Sequence, residues 1–441
     1  MKKTAKILIL TVLCFTIGAS VCGCSSSQWK TAIVKANAFE GTRSDVRLSD
    51  EIKTSLEGFS AKFTSGVIGL SDGRNVAVSP VSLYSALAMA VACTQGNTSE
   101  QILGALDIDE STLFSSVFKL NESLNRSFYC TGTTGSEKLN GRVLLTNSVW
   151  LDKSLNYKSE CVDLLSSVFN ASTLQTDFRN DNAKSNRLVR EFVKDKTNGL
   201  INNDFDFNDL TNFILLNTLY VKDVWNLLGD DCRTTKSPYD FTETSGAVKS
   251  RKLLESDYFP GKKHIGKGFT SFSCHTYYNC EITFLLPDDG ESVKTVMTDE
   301  NVLDALTAKY VTSDEESKTL YFTRCLFPEF VASYNNGVAD LLKEKFGITD
   351  LFEQKKCDLS ALTDDRNAYC RDVRHVTQLE VNKKGIEGAA VTAIYGNTST
   401  ANREQEYTKV YEDFIVNKAF GFLITDGNGT VLFSGAVNTI K

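Results

Sequence analysis

Helix-type and strand-type segments are separated along this chain, and that separation constrains its fold more than any other feature. The stretch SPVSLYSALAMAVACT spaces its apolar residues helically behind Pro80, and SNRLVREFVKDKTNG does so before Gly199. The later runs TNFILLNTLYV, NCEITFLLPDD and KTLYFTRCLFPEFVASY are rich in β-branched and aromatic residues. Since the two types do not alternate, the pattern predicts an α+β fold with large antiparallel or mixed sheets.

Local signals predict several element boundaries. Thr98 and Gln101 have the spacing of a capping box, which predicts that a helix starts there. NNGVADLLKEKFGI predicts a helix among the late strands, and DGNG between DFIVNKAFGFLIT and VLFSGAV is typical of a hairpin turn. Because no repeat or linker divides the chain, residues 48–441 are predicted to form a single domain.

The N-terminus carries the pattern of an export signal. MKKTAKILILTVLCFTIGASVCGC has a basic start, an apolar run and small residues before a cysteine, as in a bacterial lipoprotein signal. We expect residues 1–23 to be the signal peptide, Cys24 to be acylated, and residues 24–47 to be a tether. This predicts an exported lipoprotein on the surface of a bacterial membrane; the alternative is a secreted protein cut near Gly23.

Charge and histidine content exclude several classes of function. The net charge of −7 comes without a concentrated basic face, which argues against nucleic-acid binding. Cys274, His275 and Cys280 supply three metal ligands, fewer than the four of a structural zinc site. Cys370 and His375 are the nearest candidates for a nucleophile and its base, but inert thiols are the preferred interpretation. No catalytic residue, metal or cofactor is therefore predicted.

Twelve cysteines are present, and nine remain after Cys14, Cys22 and Cys24 are set aside. An odd number cannot pair completely, and a chain this long does not need disulfides to fold. We therefore expect mostly free, partly buried thiols.

Six segments, taken in order, resemble the serpin family. They are VAVSPVSLYSALAMA (76–90), LLNTLYVKDVW (215–225), FPEF (327–330), GITDLF…CDLS (347–360), VRHVTQLEVNKKGIEGAAVTA (373–393) and FIVNKAFGFLI…VLFSGAV (414–437). The resemblance implies a helical bundle with three β-sheets and a long exposed reactive loop. It also implies a protease inhibitor that is cut in this loop and inserts the cut loop into its largest sheet while the protease is still an acyl-enzyme.

The segment from Asn382 to Lys409 fits such a loop, because it begins with a flexible Gly385 and contains no proline. In the inserted strand, alternate residues would face inward and outward. The inward set is Ile386, Gly388, Ala390 and Thr392, and the outward set includes Glu387, Ala389 and Val391.

Two residues of the hinge depart from the family pattern. Ile386 stands where inhibitory members usually carry Thr or Ser, so its bulk is expected to slow insertion. Lys383 stands where they usually carry Glu, so the ion pair expected at the top of the sheet is lost or reversed.

The resemblance also implies a hydrogen-bonded cluster that controls opening of the sheet. Ser79, Ser82, Asn217 and His375 match its four positions. Trp225 matches the tryptophan where the loop joins the sheet, although a core aromatic residue would look the same in sequence.

The family's cleavage position implies that the reactive bond joins Ser399 to Thr400. Small residues there predict an elastase-like or subtilisin-like serine protease as the target, with papain-like cysteine proteases as further candidates. The loop is longer than is usual in the family, so the bond between Arg403 and Glu404 is the alternative, and it would suit a trypsin-like enzyme. The favoured function is a monomeric suicide-substrate inhibitor. The alternatives are a non-inhibitory binding or chaperone module and, less favoured, a cysteine-dependent enzyme.

Overall fold

The computed structural model describes residues 28–37, 46–131, 137–225, 232–278, 280–371, 373–387 and 407–441, without the side chains of 129–131 and 137–140. Within these ranges no helix combines the length and apolarity needed to cross a bilayer. The α-helices are α1 (Asp50–Leu70), α2 (Pro80–Cys93), α3 (Gly96–Leu106), α4 (Glu110–Ser123), α5 (Ser159–Ser167), α6 (Asn182–Lys196), α7 (Val293–Val296), α8 (Asp299–Thr307) and α9 (Ala339–Phe346). Short 3₁₀ helices cover Gln28–Ala32 and Asp350–Phe352.

Helix α2 begins at Pro80, as predicted, and every one of its residues is buried, which suits its apolar composition. The predicted capping box is wrong, because α3 begins at Gly96. The Gln101 side chain instead accepts hydrogen bonds from the backbone of Thr349 and Asp350, and Thr98 accepts one from Asp358. Contacts distant in sequence have thus taken the side chains that a local cap would use.

Eight strands form the main sheet. They are β1 (Ile33–Lys35), β3 (Asn125–Thr131), β4 (Glu137–Asp152), β5 (Ala171–Thr176), β6 (Phe213–Val224), β16 (Phe330–Gly337), β17 (Arg374–Asn382) and β18 (Gly385–Glu387). Their order is β1-β5-β4-β6-β18-β17-β16, and β3 pairs with β4. Helix α2 packs behind this sheet, and α6 packs on its front.

Two further sheets and a hairpin complete the described architecture. The second sheet holds β2 (Val76–Val78), β11 (His264–Ile265), β12 (Phe269–His275), β13 (Glu281–Pro287), β20 (Phe420–Thr425) and β21 (Val431–Val437). The third holds β7 (Arg233–Thr234), β10 (Leu254–Pro260), β14 (Ser313–Asp314), β15 (Thr319–Phe327) and β19 (Thr408–Ile415), and β8 (Tyr239–Thr242) pairs with β9 (Val248–Arg251). The predicted α+β fold and the β20–β21 hairpin are confirmed. The run 318–334, which reads as one stretch of strand, forms two strands around Pro328.

Part of the predicted tether is packed against the domain. Trp29 is buried, and β1 adds an antiparallel edge strand to β5, with Ile33 opposite Leu174. Residues 28–35 of the predicted tether thus form regular structure in contact with the domain. The apolar side of the 3₁₀ turn and the free edge of β5 together explain why this segment folds onto the body.

Candidate functional site

The predicted hinge already lies in the main sheet. Gly385, Ile386 and Glu387 form β18, which is antiparallel both to β6 and to β17. Gly385 has a φ of +151°, and a Cβ there would come within 1.9 Å of the backbone oxygen of Asp223. This close approach explains why the position requires glycine.

The two residues after Gly385 face opposite sides of the sheet. Ile386 points inward and is 1% exposed, which agrees with the predicted alternation. Glu387 points outward, but it is only half exposed, and its carboxylate accepts a 3.0 Å hydrogen bond from the Tyr220 hydroxyl. The other predicted hinge residues, Gly388, Ala389, Ala390, Val391 and Thr392, lie outside the described residues.

A buried carboxylate supports β6 opposite Ile386. Asp223 accepts hydrogen bonds from the Thr276 hydroxyl and from the backbone N–H groups of Tyr278 (3.1 Å) and Cys280 (3.3 Å). Burial raises the pKa of the Asp223 carboxyl to about 7 despite these bonds. Sequence reasoning missed this residue, although an aspartate inside the apolar run YVKDVW is a visible signal.

Trp225 and Lys383 lie at the end of the sheet where β17 turns into β18. The Trp225 indole nitrogen donates a 2.7 Å hydrogen bond to the backbone oxygen of Asn382. The Trp225 ring packs on the ring of Phe327. The backbone N–H of Lys383 donates to the Glu329 carboxylate at 2.8 Å. A glutamate therefore does contact position 383, through the main chain.

The four predicted cluster residues are buried or nearly so and are joined as two pairs. The Ser82 hydroxyl donates to the side-chain oxygen of Asn217, and the backbone N–H of Ser79 donates to Nε2 of His375 at 3.1 Å. The Ser79 hydroxyl has no hydrogen-bond partner among the described residues. It is an unpaired polar group close to the space between β6 and β17 into which a longer β18 would extend.

Two asparagines extend this cluster, and sequence reasoning missed both. The Asn217 amide donates to Asn147 at 2.6 Å, and the Asn147 amide donates to Asn121 at 3.1 Å and to the Phe169 backbone oxygen at 2.7 Å. Asn147 stands on β4, in the polar centre TNS of the run VLLTNSVWL, and this interruption of an apolar strand was the available signal. The chain of amides links α2, β6, β4 and α4, so it ties the sheet to the helices behind it.

His375 is held as a neutral, buried ring. Its ring lies 5.4 Å from that of Phe63, and burial lowers its pKa to about 4. Since Nε2 accepts the Ser79 N–H, the nitrogen that a general base would use is occupied. The other histidines contact acidic residues: His264 lies 2.9 Å from Asp304, and His275 lies 4.0 Å from Glu281.

The positions considered for cysteine chemistry do not form a centre in the described part of the chain. Cys274 and His275 are adjacent on β12 and therefore face opposite sides, and no group of three His, Cys, Asp or Glu residues is placed to hold a metal among the described residues. Eight cysteines are described as thiols. Cys370 lines a cavity of about 300 Å³ between α2, β6 and the start of β17.

Strand β18 separates β6 from β17 over its three residues, and no ladder joins β6 directly to β17 along their described length. The cavity beside Cys370 lies at the opposite end of β6 and β17, where Phe213 and Arg374 begin these two strands. The hinge, the amide cluster and the cavity thus follow one line down the main sheet.

A family model described as "Serpin (serine protease inhibitor)" matches residues 54–440. This chain belongs to the serpin family. Among curated relatives it is 27% identical to Iripin-1 of Ixodes ricinus, over 83% of this chain and 89% of that protein. It is 26% identical to the leukocyte elastase inhibitor of Homo sapiens, over 82% of this chain and 92% of that protein.

Solved serpin structures show the same fold. The thermophilic serpin tengpin in its native state matches with a TM-score of 0.68 at 20% identity, covering 94% of this chain and 99% of that one. Serpin48 of Tenebrio molitor matches with a TM-score of 0.70 at 20% identity, covering 89% and 99%. Serpins are as a rule protease inhibitors rather than enzymes.

Proposed function

We propose that this serpin is a suicide-substrate inhibitor of an elastase-like or subtilisin-like serine protease. The serine of the protease attacks the reactive bond, and its oxygen becomes esterified to the new carboxyl end of the loop while the amine leaves. Insertion of the cut loop into the main sheet then carries the protease away before water hydrolyses the ester. All the catalytic groups belong to the protease, and this chain supplies the bait and the strained sheet.

The observation that carries this proposal is the position of β18 between β6 and β17. A loop whose first residues already pair with both neighbours needs no separate docking step before it can continue as a strand. Ile386 is buried on the inward face there, so an apolar residue at this position is compatible with the start of insertion.

Extending the register of β18 explains the residue choice farther along the loop. The inserted strand would place Thr392 directly opposite Asn217 on one side and His375 on the other. A hydroxyl at that point would lie beside the amide cluster and near the unpaired Ser79 hydroxyl. Gly388 and Ala390 would fill the inward positions before it, where small side chains fit against a packed core.

The same register favours the bond after Ser399. The extended strand would reach Phe213, the first residue of β6, at Gly396, so Ser399 falls just past the end of the sheet. Arg403 would lie four residues farther from the end of β6 than Ser399 does. Ser399, Thr400, Arg403 and Glu404 lie outside the described residues, so cleavage mapping must decide between the two bonds.

Covalent trapping is tested by incubating the protein with pancreatic elastase and with subtilisin. We expect a complex that survives boiling in detergent, and mass spectrometry should place the cut after Ser399. In Ile386→Arg, a buried charge would block strand extension, so cleavage should continue with the complex lost. Ile386→Val is the matched control and should keep trapping. Cleavage of wild type by each protease without any complex would overturn the proposal.

A second function, a non-inhibitory binding module, is favoured by Lys383 and Ile386, which depart from the inhibitory pattern. One serpin of similar fold is a thyroxine-binding globulin complexed with thyroxine, so the fold alone does not decide between the two. The same experiment separates them. A non-inhibitory module would be cut as a simple substrate, with no later rise in its unfolding temperature.

We further propose that the protein is exported and held at a bacterial membrane through acylated Cys24, as a monomer. Support comes from the lipoprotein-type signal before Cys24. In Cys24→Ser the protein should move from the detergent phase to the aqueous phase on Triton X-114 partitioning. Equal partitioning of both forms would contradict the anchor and leave the secreted alternative.

A further inference from the structure

The N-terminal segment of residues 28–35 is attached to the parts of the main sheet that must move when a strand is inserted. Trp29 is 4% exposed, and its ring meets that of Phe192 on α6 edge-on at 5.0 Å. Phe192 in turn lies 5.6 Å from Trp150 on β4, and the Lys196 ammonium lies over the Trp29 ring at 5.0 Å. One indole thus fixes both the last turns of α6 and their contact with the sheet.

The edge strand provides a second, independent attachment. β1 pairs with β5, and the hydroxyl of Ser166, in the last turn of α5, donates to the Ala36 backbone oxygen at 2.9 Å. The Asn37 backbone N–H donates to the Ser172 hydroxyl at 3.3 Å. The segment therefore bridges α6, β5 and the end of α5.

Helix α6 lies across the position that continues β18. Its buried residues pack in one cluster with Leu216 on β6, and Val376 on β17 packs against the same cluster. In the extended register, outward-facing Ala393 would pair with Leu216 and outward-facing Val391 with Val376. Both side chains would have to enter the space that α6 now covers, so α6 must give way during insertion.

We propose that Trp29 is a positioning residue that holds α6 on the main sheet and thereby slows loop insertion. The inference rests on the proposed insertion mechanism and adds a control outside the loop and the amide cluster. By delaying insertion before cleavage, this contact would keep the uncut protein in its active state.

The attachment of residues 28–35 to the domain is also weak enough to be broken. The indole N–H of Trp29 is buried without a hydrogen-bond partner among the described residues, which weakens its binding to the body. The edge strand β1 has only three residues, and its side chains are exposed. A segment held by one aromatic side chain, a short ladder and a few hydrogen bonds near the surface can detach when α6 moves, without unfolding of the domain.

The test follows spontaneous insertion of the uncut full-length protein, so it needs no trapping by a protease. Samples are held below the unfolding midpoint, and the fraction that becomes both hyperstable and resistant to elastase cleavage in the loop is measured over time. We expect Trp29→Ala to insert its loop about tenfold faster than wild type. Trp29→Phe keeps an aromatic ring and perturbs folding less, and its rate of insertion should fall between the two.

The control is Phe241→Leu, a fully buried aromatic on β8 that packs on Phe420 away from α6. It should lower the unfolding midpoint without accelerating insertion. Equal rates for both Trp29 variants and wild type would overturn the proposal, as would an equal acceleration in Phe241→Leu. If wild type cut in its loop gains no thermal stability, the insertion mechanism itself fails, which is a separate outcome.

Discussion

The indole nitrogen of Trp225 donates a 2.7 Å hydrogen bond to the backbone oxygen of Asn382, the last residue of β17 before the chain turns into β18. This bond ties the end of β6 to the turn that presents the hinge. In Trp225→Phe the ring packing on Phe327 is largely kept and the hydrogen bond is lost. We expect a loss of about 1 kcal/mol in the free energy of unfolding, measured by urea titration.

The amide chain behind the sheet gives a larger effect. Asn147→Ala leaves the Asn217 amide and the Asn121 side-chain oxygen without their present partners. We expect a loss of about 2–3 kcal/mol in the free energy of unfolding, because buried polar groups would be unpaired. Asn367→Ala, at an exposed turn, is the control and should change it by less than about 0.5 kcal/mol. A loss at Asn147 no larger than that at Asn367 would show that the chain has no structural role.

Much of this site could be predicted from sequence because local and family patterns act together there. Pro80 with its apolar run specifies the buried helix, and Gly385 marks the point where the chain lies against the backbone of Asp223. Asn147 and Asp223 were missed because a polar residue within a strand does not show what it contacts across the fold. Gln101 failed as a cap for a related reason: its partners, Thr349 and Asp350, lie far along the chain.

The edge strand β1 could not be predicted either. Its sequence, IVK, is too short to distinguish a strand from a tether, and its place is decided by the free edge of β5 and by the pocket for Trp29. Such docking depends on surfaces that exist only after the rest of the chain has folded.

Asp223 predicts a pH dependence of stability. Its pKa is about 7 in the folded protein and near 3.8 when exposed, so the folded state favours the protonated form. Stability from this group is therefore fully present below about pH 3.8 and is lost as the pH rises through about 7, by up to a few kcal/mol. Asp223→Asn should remove this slope in thermal unfolding between pH 4 and 7. An unchanged slope would show that the carboxyl is ionised throughout.

His375 predicts the opposite slope. Its pKa is lowered to about 4 by burial, whereas the exposed ring titrates near 6.5, so the folded state excludes the proton. Stability is complete above about pH 6.5 and falls as the pH drops towards 4, by on the order of 3 kcal/mol. His375→Asn should therefore lose less stability than wild type as the pH falls from about 6.5 to 4. Comparing it with Asp223→Asn separates two contributions that oppose each other in the wild-type curve.

The reactive bond can be tested by changing the class of protease that is trapped. Ser399→Arg should form a detergent-resistant complex with trypsin, because the specificity pocket of trypsin binds arginine. Arg403→Ala should leave the elastase complex unchanged. If wild type already traps trypsin and Arg403→Ala abolishes that complex, the bond lies after Arg403.

Strand growth usually has a slow first event and fast later ones, because closing a loop to form the first pairing costs entropy that each later residue does not cost again. Gly385, Ile386 and Glu387 are already paired on both sides, so in the proposed mechanism that first event precedes cleavage of the loop. What remains is elongation, in which each added residue gains partners on two edges at once. The speed of trapping should then depend less on how the loop finds the sheet than on how readily the sheet and its covering helix give way.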